Sequence, residues 1–467
     1  MSRFDTTKIV CTLGPASSSP DVIRKLLQAG MNVARLNFSH GTHEMHARTL
    51  ANIRGIAEDM GRPVAILGDL QGPRIRIGTL ADARPLEEGA RLVLAPEEVA
   101  TPDEIPVTYD LARDVQVGGS VLVDDGLISL RVDAVEAPRV HVTVRYGGLL
   151  KSNKGMNLPG IDVSAPSLTE KDCEDIPFAI EQDLDYLALS FVRRPEDILG
   201  LRALLPKGML IVAKIEKDSA LTRIEEILKV SDAVMVARGD LGVELPFEEV
   251  PLQQKRIIGL AARFGRPVIT ATQMLESMVQ HPRPTRAEAS DVANAILDGT
   301  DAVMLSAETA AGLHPVLAVQ AMRRIASAAE QAPVERGQGI DRVKPGSATV
   351  EETIAAASVT AVRLLGASVI VVFTKSGFSA RIVAARRPNV RIVVLTDNRR
   401  TYRQLALVWG VIPFLVPHCD TYEEMTALAK GILREQGYAK EGDRIVVTAG
   451  VPFDVPGTTN QLKVETV

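Results

Sequence analysis

Leu210-Ile-Val-Ala-Lys-Ile-Glu216 and Asp232-Ala-Val-Met-Val-Ala-Arg-Gly-Asp240 are short runs that begin apolar and end abruptly in charge. A continuous apolar run of this length reads as a strand buried on both faces. Side chains two apart share a face, so Leu210, Val212, Lys214 and Glu216 point one way and Ile211, Ala213 and Ile215 the other. One face of the first strand therefore finishes in an ammonium beside a carboxylate. The second run closes on Arg238-Gly239-Asp240, where glycine permits a sharp turn and another carboxylate follows. Two carboxylates with a lysine and an arginine at neighbouring strand ends predict a divalent cation beside an anionic substrate.

Outward from these runs the chain alternates strand and helix. Strands are predicted at 8–13, 33–39 and 64–70, and again at 186–192, 210–215, 233–237, 267–272 and 302–306. Ser19-Pro20-Asp21 caps the first helix, which stops at Gly30. Between the two groups the rhythm lapses into Val-rich pieces separated by Gly118-Gly119, Asp125-Gly126 and Gly147-Gly148. Three strands before this insertion and five after it predict a closed (β/α)8 TIM barrel. Residues 331–345 lack periodicity and read as a linker; beyond them a helix near 351–365 and strands at 369–373, 392–396, 414–416 and 444–448 predict an open α/β sheet. The expected division is a barrel at 1–72 and 165–330, an inserted small β-barrel lid at 73–164, the linker, and a C-terminal α/β domain at 346–467. Short connections at Gly72-Pro73 and Ser164-Ala165 make the insertion a hinged cover.

A net charge of −5 offers no basic excess for nucleic acid, and no apolar run approaches membrane length. The N-terminus lacks a signal-peptide core, so a cytoplasmic location is expected. Three scattered cysteines support neither a disulfide framework nor a zinc site.

Barrel active sites lie at the carboxyl ends of the strands. The polar residues expected there are Arg35, Asn37, Ser39, Asp69, Ser190, Lys214, Glu216, Arg238, Asp240, Thr272, Gln273, Ser306 and Glu308. Glu216 with Asp240 suits magnesium, or manganese in its place, because such an ion takes one or two carboxylates and completes its shell with water and substrate oxygens. Lys214 and Arg35 cannot ligate a cation while charged, so they face negative charge on the substrate. With no hydrolytic triad and no GxxxxGK[ST] loop, the chemistry reads as metal-assisted handling of a small phosphorylated or carboxylated acid. A lyase acting on a pyruvate enolate and a non-catalytic metabolite-binding protein are the competing readings.

These residues stand in longer motifs. Thr7-Lys-Ile-Val-Cys-Thr-Leu-Gly-Pro-Ala16, Met31-Asn-Val-Ala-Arg-Leu-Asn-Phe-Ser-His-Gly41, Met235-Val-Ala-Arg-Gly-Asp-Leu-Gly242, Ala271-Thr-Gln-Met-Leu-Glu-Ser-Met278 and Pro282-Arg-Pro-Thr-Arg-Ala-Glu288 resemble the pyruvate kinase family, and the likeness runs from about residue 6 to 465. The resemblance implies phosphoryl transfer from phosphoenolpyruvate to ADP, giving ATP and pyruvate, in a homotetramer. It implies Glu216 and Asp240 as magnesium ligands, a second magnesium on the nucleotide, and Arg35 and Lys214 facing the phosphoryl group. Backbone N–H groups at Gly239 and Asp240, with Thr272, would hold the substrate carboxylate. Thr272, Ser306 and Glu308 would stand beside the water that protonates the enolate. His40, Arg76 and Lys154, with Asn37, fall where the family contacts nucleotide.

One departure stands out. Potassium-dependent members carry a glutamate where this chain has Arg74, beside a monovalent-cation region that the resemblance places at Asn37, Ser39, Asp69 and the carbonyl of Leu70. Arg74 is therefore expected to stand in for potassium. In the C-terminal domain, Thr374-Lys-Ser-Gly-Phe-Ser379 reads equally as a phosphate cradle or a polar capping loop. Family members bind allosteric sugar phosphates or nucleotides there, so the resemblance implies an effector site at Thr374, Lys375, Ser376, Gly377 and Ser379.

Overall fold

The structure, a computed structural model, describes residues 6–332, 348–450 and 459–467. Eight parallel strands close into a barrel: β1 (Lys8–Thr12), β2 (Val33–Asn37), β3 (Ala65–Asp69), β4 (Tyr186–Leu189), β5 (Leu210–Ile215), β6 (Ala233–Ala237), β7 (Val268–Ala271) and β8 (Ala302–Leu305). They pair in order around the ring, and β8 returns to β1 with Ala302 opposite Lys8. Strands β5 and β6 span the residues expected of them. Others stop short because the chain turns away into the loops that carry the polar residues.

The alternation expected on β5 is present. Val212 points into the barrel with Val10, Val33 and Met235, whereas Ile211, Ala213 and Ile215 pack outward under the helices. Four interior residues are followed two positions later by a polar one: Arg35 after Val33, Asp69 after Leu67, Ser190 after Ala188, Lys214 after Val212. The period of two therefore stacks these four side chains as the top layer of the barrel interior.

Local signals set the surrounding helices. Ser19 accepts a hydrogen bond from the Val22 N–H to cap Pro20–Ala29, and Gly30, at φ +117°, ends it in the left-handed region. Thr169 with Asp172 forms a capping box at Glu170–Glu181, as Thr285 with Glu288 does at Arg286–Leu297.

Between β3 and β4 lies a β domain with its own apolar core, including Leu94, Val121 and Val142. A six-stranded sheet runs from Met156–Asn157 at one edge to Ile105–Val107 at the other. Bridges from Arg76 to Gly155 and from Ile77 to Val107 draw those edges together, so the sheet curls toward the small barrel expected. The entry to this domain is pinned by Asp172, whose Oδ1 accepts from Gln71 N at 2.9 Å. On the exit side Arg193 donates to the carbonyls of Val163 and Ala165.

The linker expected at 331–345 falls almost wholly outside the described residues. The C-terminal sheet has the order Val411–Leu415, Arg391–Thr396, Val369–Phe373, Arg444–Ala449 and Gln461–Thr466. The last strand is antiparallel and was not expected, because an edge strand such as Gln-Leu-Lys-Val-Glu-Thr shows too little apolar patterning. This domain caps the amino-terminal end of the barrel. Ala406 and Leu407 join the barrel's interior cluster, and Tyr186 Oη donates to the Gln404 carbonyl at 2.8 Å. Around that plug Arg403 pairs with Asp185 at 2.7 Å and with Asp183 at 2.6 Å, while Arg387 pairs with Asp301 at 3.1 Å.

Candidate active site

Lys214 is the centre of the open end. Its Nζ lies 2.6 Å from Ser190 Oγ, 2.9 Å from Glu216 Oε1 and 3.3 Å from Asp69 Oδ1. Asp69 also accepts from Arg35 Nε at 2.7 Å, and Arg35 Nη1 donates to Thr12 Oγ1 at 2.9 Å. Burial alone would depress the Lys214 pKa, but Asp69 and Glu216 outweigh it and raise it, so the ammonium stays charged. Burial likewise opposes the Asp69 charge, and Lys214 with Arg35 brings its pKa below the ordinary range. Two buried cations are thus fixed by one buried carboxylate, with their outer faces toward the mouth of the barrel.

Glu216 differs from Asp69. Burial pushes its carboxyl pKa up; Lys214 pulls it back, and Asp240 adds to the rise by repulsion. The other oxygen of Glu216 accepts from Phe191 N at 2.7 Å, a residue held at φ +53°. Asp240 opens the short helix Arg238–Glu244 and has no hydrogen-bond or ion-pair partner among the described residues. A raised buried carboxylate facing an unpartnered one is the donor set of a divalent cation. Among the described residues no group of three or more His, Cys, Asp or Glu is arranged to hold a metal. An ion at Glu216 and Asp240 would therefore complete its shell from water and substrate, which suits magnesium.

Thr272 lies beside this pair. It stands at φ +68° and Gln273 at φ +53°, a conformation that a β-branched residue adopts only under constraint. Its Oγ1 accepts from Gly239 N at 2.7 Å and donates to the Ala271 carbonyl at 2.6 Å. Glu308 is fully buried, accepts from Ser306 N at 2.6 Å and Leu275 N at 3.1 Å, and has its pKa raised by burial against those bonds. The Ser306 hydroxyl is buried with no partner.

The residues expected at the nucleotide are less closely gathered. His40 is exposed, with its carbonyl bonded by His46 Nε2 at 2.8 Å; Asn37 Oδ1 accepts from Ser39 N at 3.2 Å. Arg76 Nη1 donates to the Asn153 carbonyl at 3.1 Å, and Lys154 pairs with Asp124 at 2.8 Å, both within the inserted domain. Arg74 is exposed with its guanidinium against Gly155, and it lines a cleft between the two domains with Phe191, Lys217 and Asp240. It is not among the partners of Asp69, which are Arg35, Lys214 and Ser190. Sequence reasoning missed one element at this cleft: Glu244 accepts from Lys217 at 2.6 Å and from Asn157 of the inserted domain at 3.3 Å. No spacing signal joins these three residues.

The Thr374–Ser379 loop largely satisfies itself. Thr374 Oγ1 accepts from Gly377 N at 3.0 Å, Lys375 Nζ lies 3.5 Å from Asp397, and Ser379 bonds Thr459. The Lys375 carbonyl accepts from Thr401 Oγ1 at 2.6 Å, which ties the loop to the plug beneath the barrel.

A (β/α)8 barrel that gathers two part-buried cations and two metal-type carboxylates at its open end, beneath an inserted domain, defines an enzyme acting on a small anionic substrate. Comparison with known proteins narrows the class. The family model for the pyruvate kinase barrel domain matches residues 4–319, and that for the pyruvate kinase alpha/beta domain matches 352–465. The pyruvate kinase of Geobacillus stearothermophilus is 51% identical over 99% of this chain and 80% of its own length. That of Staphylococcus haemolyticus is 47% identical over the same shares. The chain belongs to the pyruvate kinase family. Membership makes it a phosphotransferase with phosphoenolpyruvate, ADP, ATP and pyruvate as substrates and products, and with the family's general use of a divalent metal.

Proposed function

We propose that the barrel, at 1–72 and 165–330, carries out magnesium-dependent phosphoryl transfer beneath a lid at 73–164, under the control of a regulatory domain at 346–467. Lys214 carries the reading: a buried ammonium, held charged by Asp69 and Glu216, stands beside the carboxylate pair. Glu216 and Asp240 would hold the metal, magnesium or manganese, which when bound would supply charge neutralisation for phosphoryl transfer. Arg35 and Lys214 bind the phosphoryl oxygens with donors already oriented by Asp69 and Ser190, so no reorganisation is needed at the moment of transfer. The N–H groups of Gly239 and Asp240, with Thr272, orient the substrate carboxylate. Ser306, whose buried hydroxyl lacks a partner, and Glu308 hold the water that delivers the proton to the enolate.

His40, Arg76, Lys154 and Asn37 contact the nucleotide as the lid moves about Gly72, whose φ of +67° and close approach to Ser190 suit glycine alone. The Thr374–Ser379 loop takes a sugar phosphate or nucleotide effector in a cytoplasmic homotetramer. No helix among the described residues is long and apolar enough to cross a membrane.

Potassium is not required on this reading. Arg74 supplies a positive charge at the cleft, and three of the groups that would ligate a monovalent cation, Asn37, Asp69 and the Leu70 carbonyl, already have partners. Asp69 is paired with two cations, and the Leu70 carbonyl accepts from Ser190 Oγ at 2.7 Å. One experiment tests the whole reading: ATP formation from phosphoenolpyruvate and ADP with magnesium, in potassium chloride and in tetramethylammonium chloride. Equal rates are expected. A large loss without potassium overturns the role of Arg74, and no ATP in either salt overturns the assignment.

A further inference from the structure

We infer that Arg238 is a positioning residue that holds the substrate-carboxylate loop and the metal loop in register; this rests on the proposed role of Thr272. Its guanidinium donates to three successive carbonyls: Nε to Ala271 at 3.3 Å, and Nη2 to Thr272 at 2.7 Å and Gln273 at 3.4 Å. Nη2 also lies 2.7 Å from Met274 Sδ. The opposite edge is anchored, with Nη1 donating to Asp291 Oδ1 at 2.8 Å and lying 3.5 Å from Gln254 Oε1. Carbonyls converge on one point in this way because Thr272 and Gln273 are both left-handed. Thr272 does not favour that conformation, so a fixed donor fork must compensate for the strain.

The register extends to the metal loop. Gly239, the next residue, donates to Thr272 Oγ1, and a Cβ at Gly239 would stand 3.4 Å from that oxygen. Asp240 follows. One side chain therefore sets the separation between Thr272 and the N–H groups at 239 and 240. A lysine offers a single point of charge and cannot span both edges.

Arg238→Lys and Arg238→Ala are assayed with Thr272→Ala as the reference. A loop displaced by about 1 Å costs on the order of 100-fold in rate. For Arg238→Lys we expect a loss of that order in kcat/KM for phosphoenolpyruvate, an unchanged KM for ADP and near-native thermal unfolding. Millimolar methylguanidine should restore part of the Arg238→Ala rate. Arg238→Lys at wild-type rate, equal losses for both substrates, or no rescue of a folded Arg238→Ala would each overturn the inference. If Thr272→Ala keeps its KM for phosphoenolpyruvate, the role of Thr272 fails, and this inference with it. If Thr272→Ala loses and Arg238→Lys does not, only the role of Arg238 fails.

Discussion

The two ends of the barrel carry the same kinds of charged residue in opposite states. At the amino-terminal end, Asp183, Asp185 and Asp301 are met by Arg403, Arg54 and Arg387, and the ring closes around the Ala406–Leu407 plug. At the carboxyl end, Asp240 has no partner among the described residues, the Ser306 hydroxyl is unpaired, and Thr272 is held in a conformation it disfavours. Buried hydroxyls lack partners at both ends, Thr6 and Thr7 among them, so the contrast lies in the charged groups: a carboxylate without a partner, as at Asp240, stands at a cleft where another molecule can complete it. Among the described charged groups, full pairing marks the end that docks a domain, and an unpartnered carboxylate marks the end proposed to do chemistry.

The sharpest way to break this comparison is Lys214→Met. On the proposed roles it removes one of two cations from the transferring group, and it leaves Glu216 facing Asp240 without relief from Lys214. Loss of an oriented electrostatic partner costs roughly 10²–10³ in kcat, and the accompanying loss of metal affinity should take the total further. Stability should fall as well, by less than the about 3–5 kcal/mol of a stripped buried pair, because Asp69 keeps Arg35 and Glu216 keeps the Phe191 N–H. Steady-state rates and thermal unfolding measured on one preparation decide it. A variant that unfolds but keeps its turnover would assign Lys214 to the fully paired class.

The converse substitution is Arg403→Met. Asp185 is fully buried, yet it keeps Arg54 at 2.9 Å and the Ile66 N–H at 2.8 Å. Removing one partner of a buried pair costs about 3–5 kcal/mol when the remaining charge is left alone; with these two contacts retained, about 2 kcal/mol is expected. Denaturant midpoints should fall, while turnover per folded molecule in saturating substrate stays near wild type. A tenfold loss of turnover without loss of stability would mean that the two ends are not separate in function.

Most of the open end is legible in the sequence, and much of the closed end is not. Continuous apolar runs such as Ala-Val-Met-Val-Ala on β6 are distinctive, and the period of two then decides which polar residues reach the interior. Arg35, Asp69, Ser190 and Lys214 followed from that rule. Asp183 and Asp185, by contrast, read as ordinary charges ahead of a strand, because their partners Arg400 and Arg403 lie more than two hundred residues away. The bracing by Arg238 was hidden for a related reason. Its partners are backbone carbonyls, which every residue has, and their convergence depends on the left-handed turn at Thr272. Arg74 is legible as an unusual charge, but its contact with Gly155 depends on how the two ends of the inserted domain come together, Arg76 bridging Gly155.

Acid offers the finest separation of the two ends. Asp183 is paired with Arg400 and Arg403, which outweigh burial and lower its pKa, so its stabilising effect is present above the unfolded value of about 3.9 and lost only as pH falls through the lower folded one. Glu216 is shifted the other way. A raised folded pKa makes its contribution to folding greatest at low pH and smaller as pH rises through that pKa, so protonating it does not unfold the metal-free protein. On the proposed role of Glu216 it does remove a metal ligand, because a ligating carboxylate must be deprotonated. As pH falls, the unfolding-temperature increment given by magnesium should therefore disappear while the metal-free protein is still folded. Asp240→Asn removes the repulsion that helps raise Glu216, so whatever increment remains should persist to lower pH than in the wild type. If the increment instead survives until the metal-free protein itself unfolds, Glu216 is not the ligand, and the contrast between the two ends rests on Asp240 and Thr272.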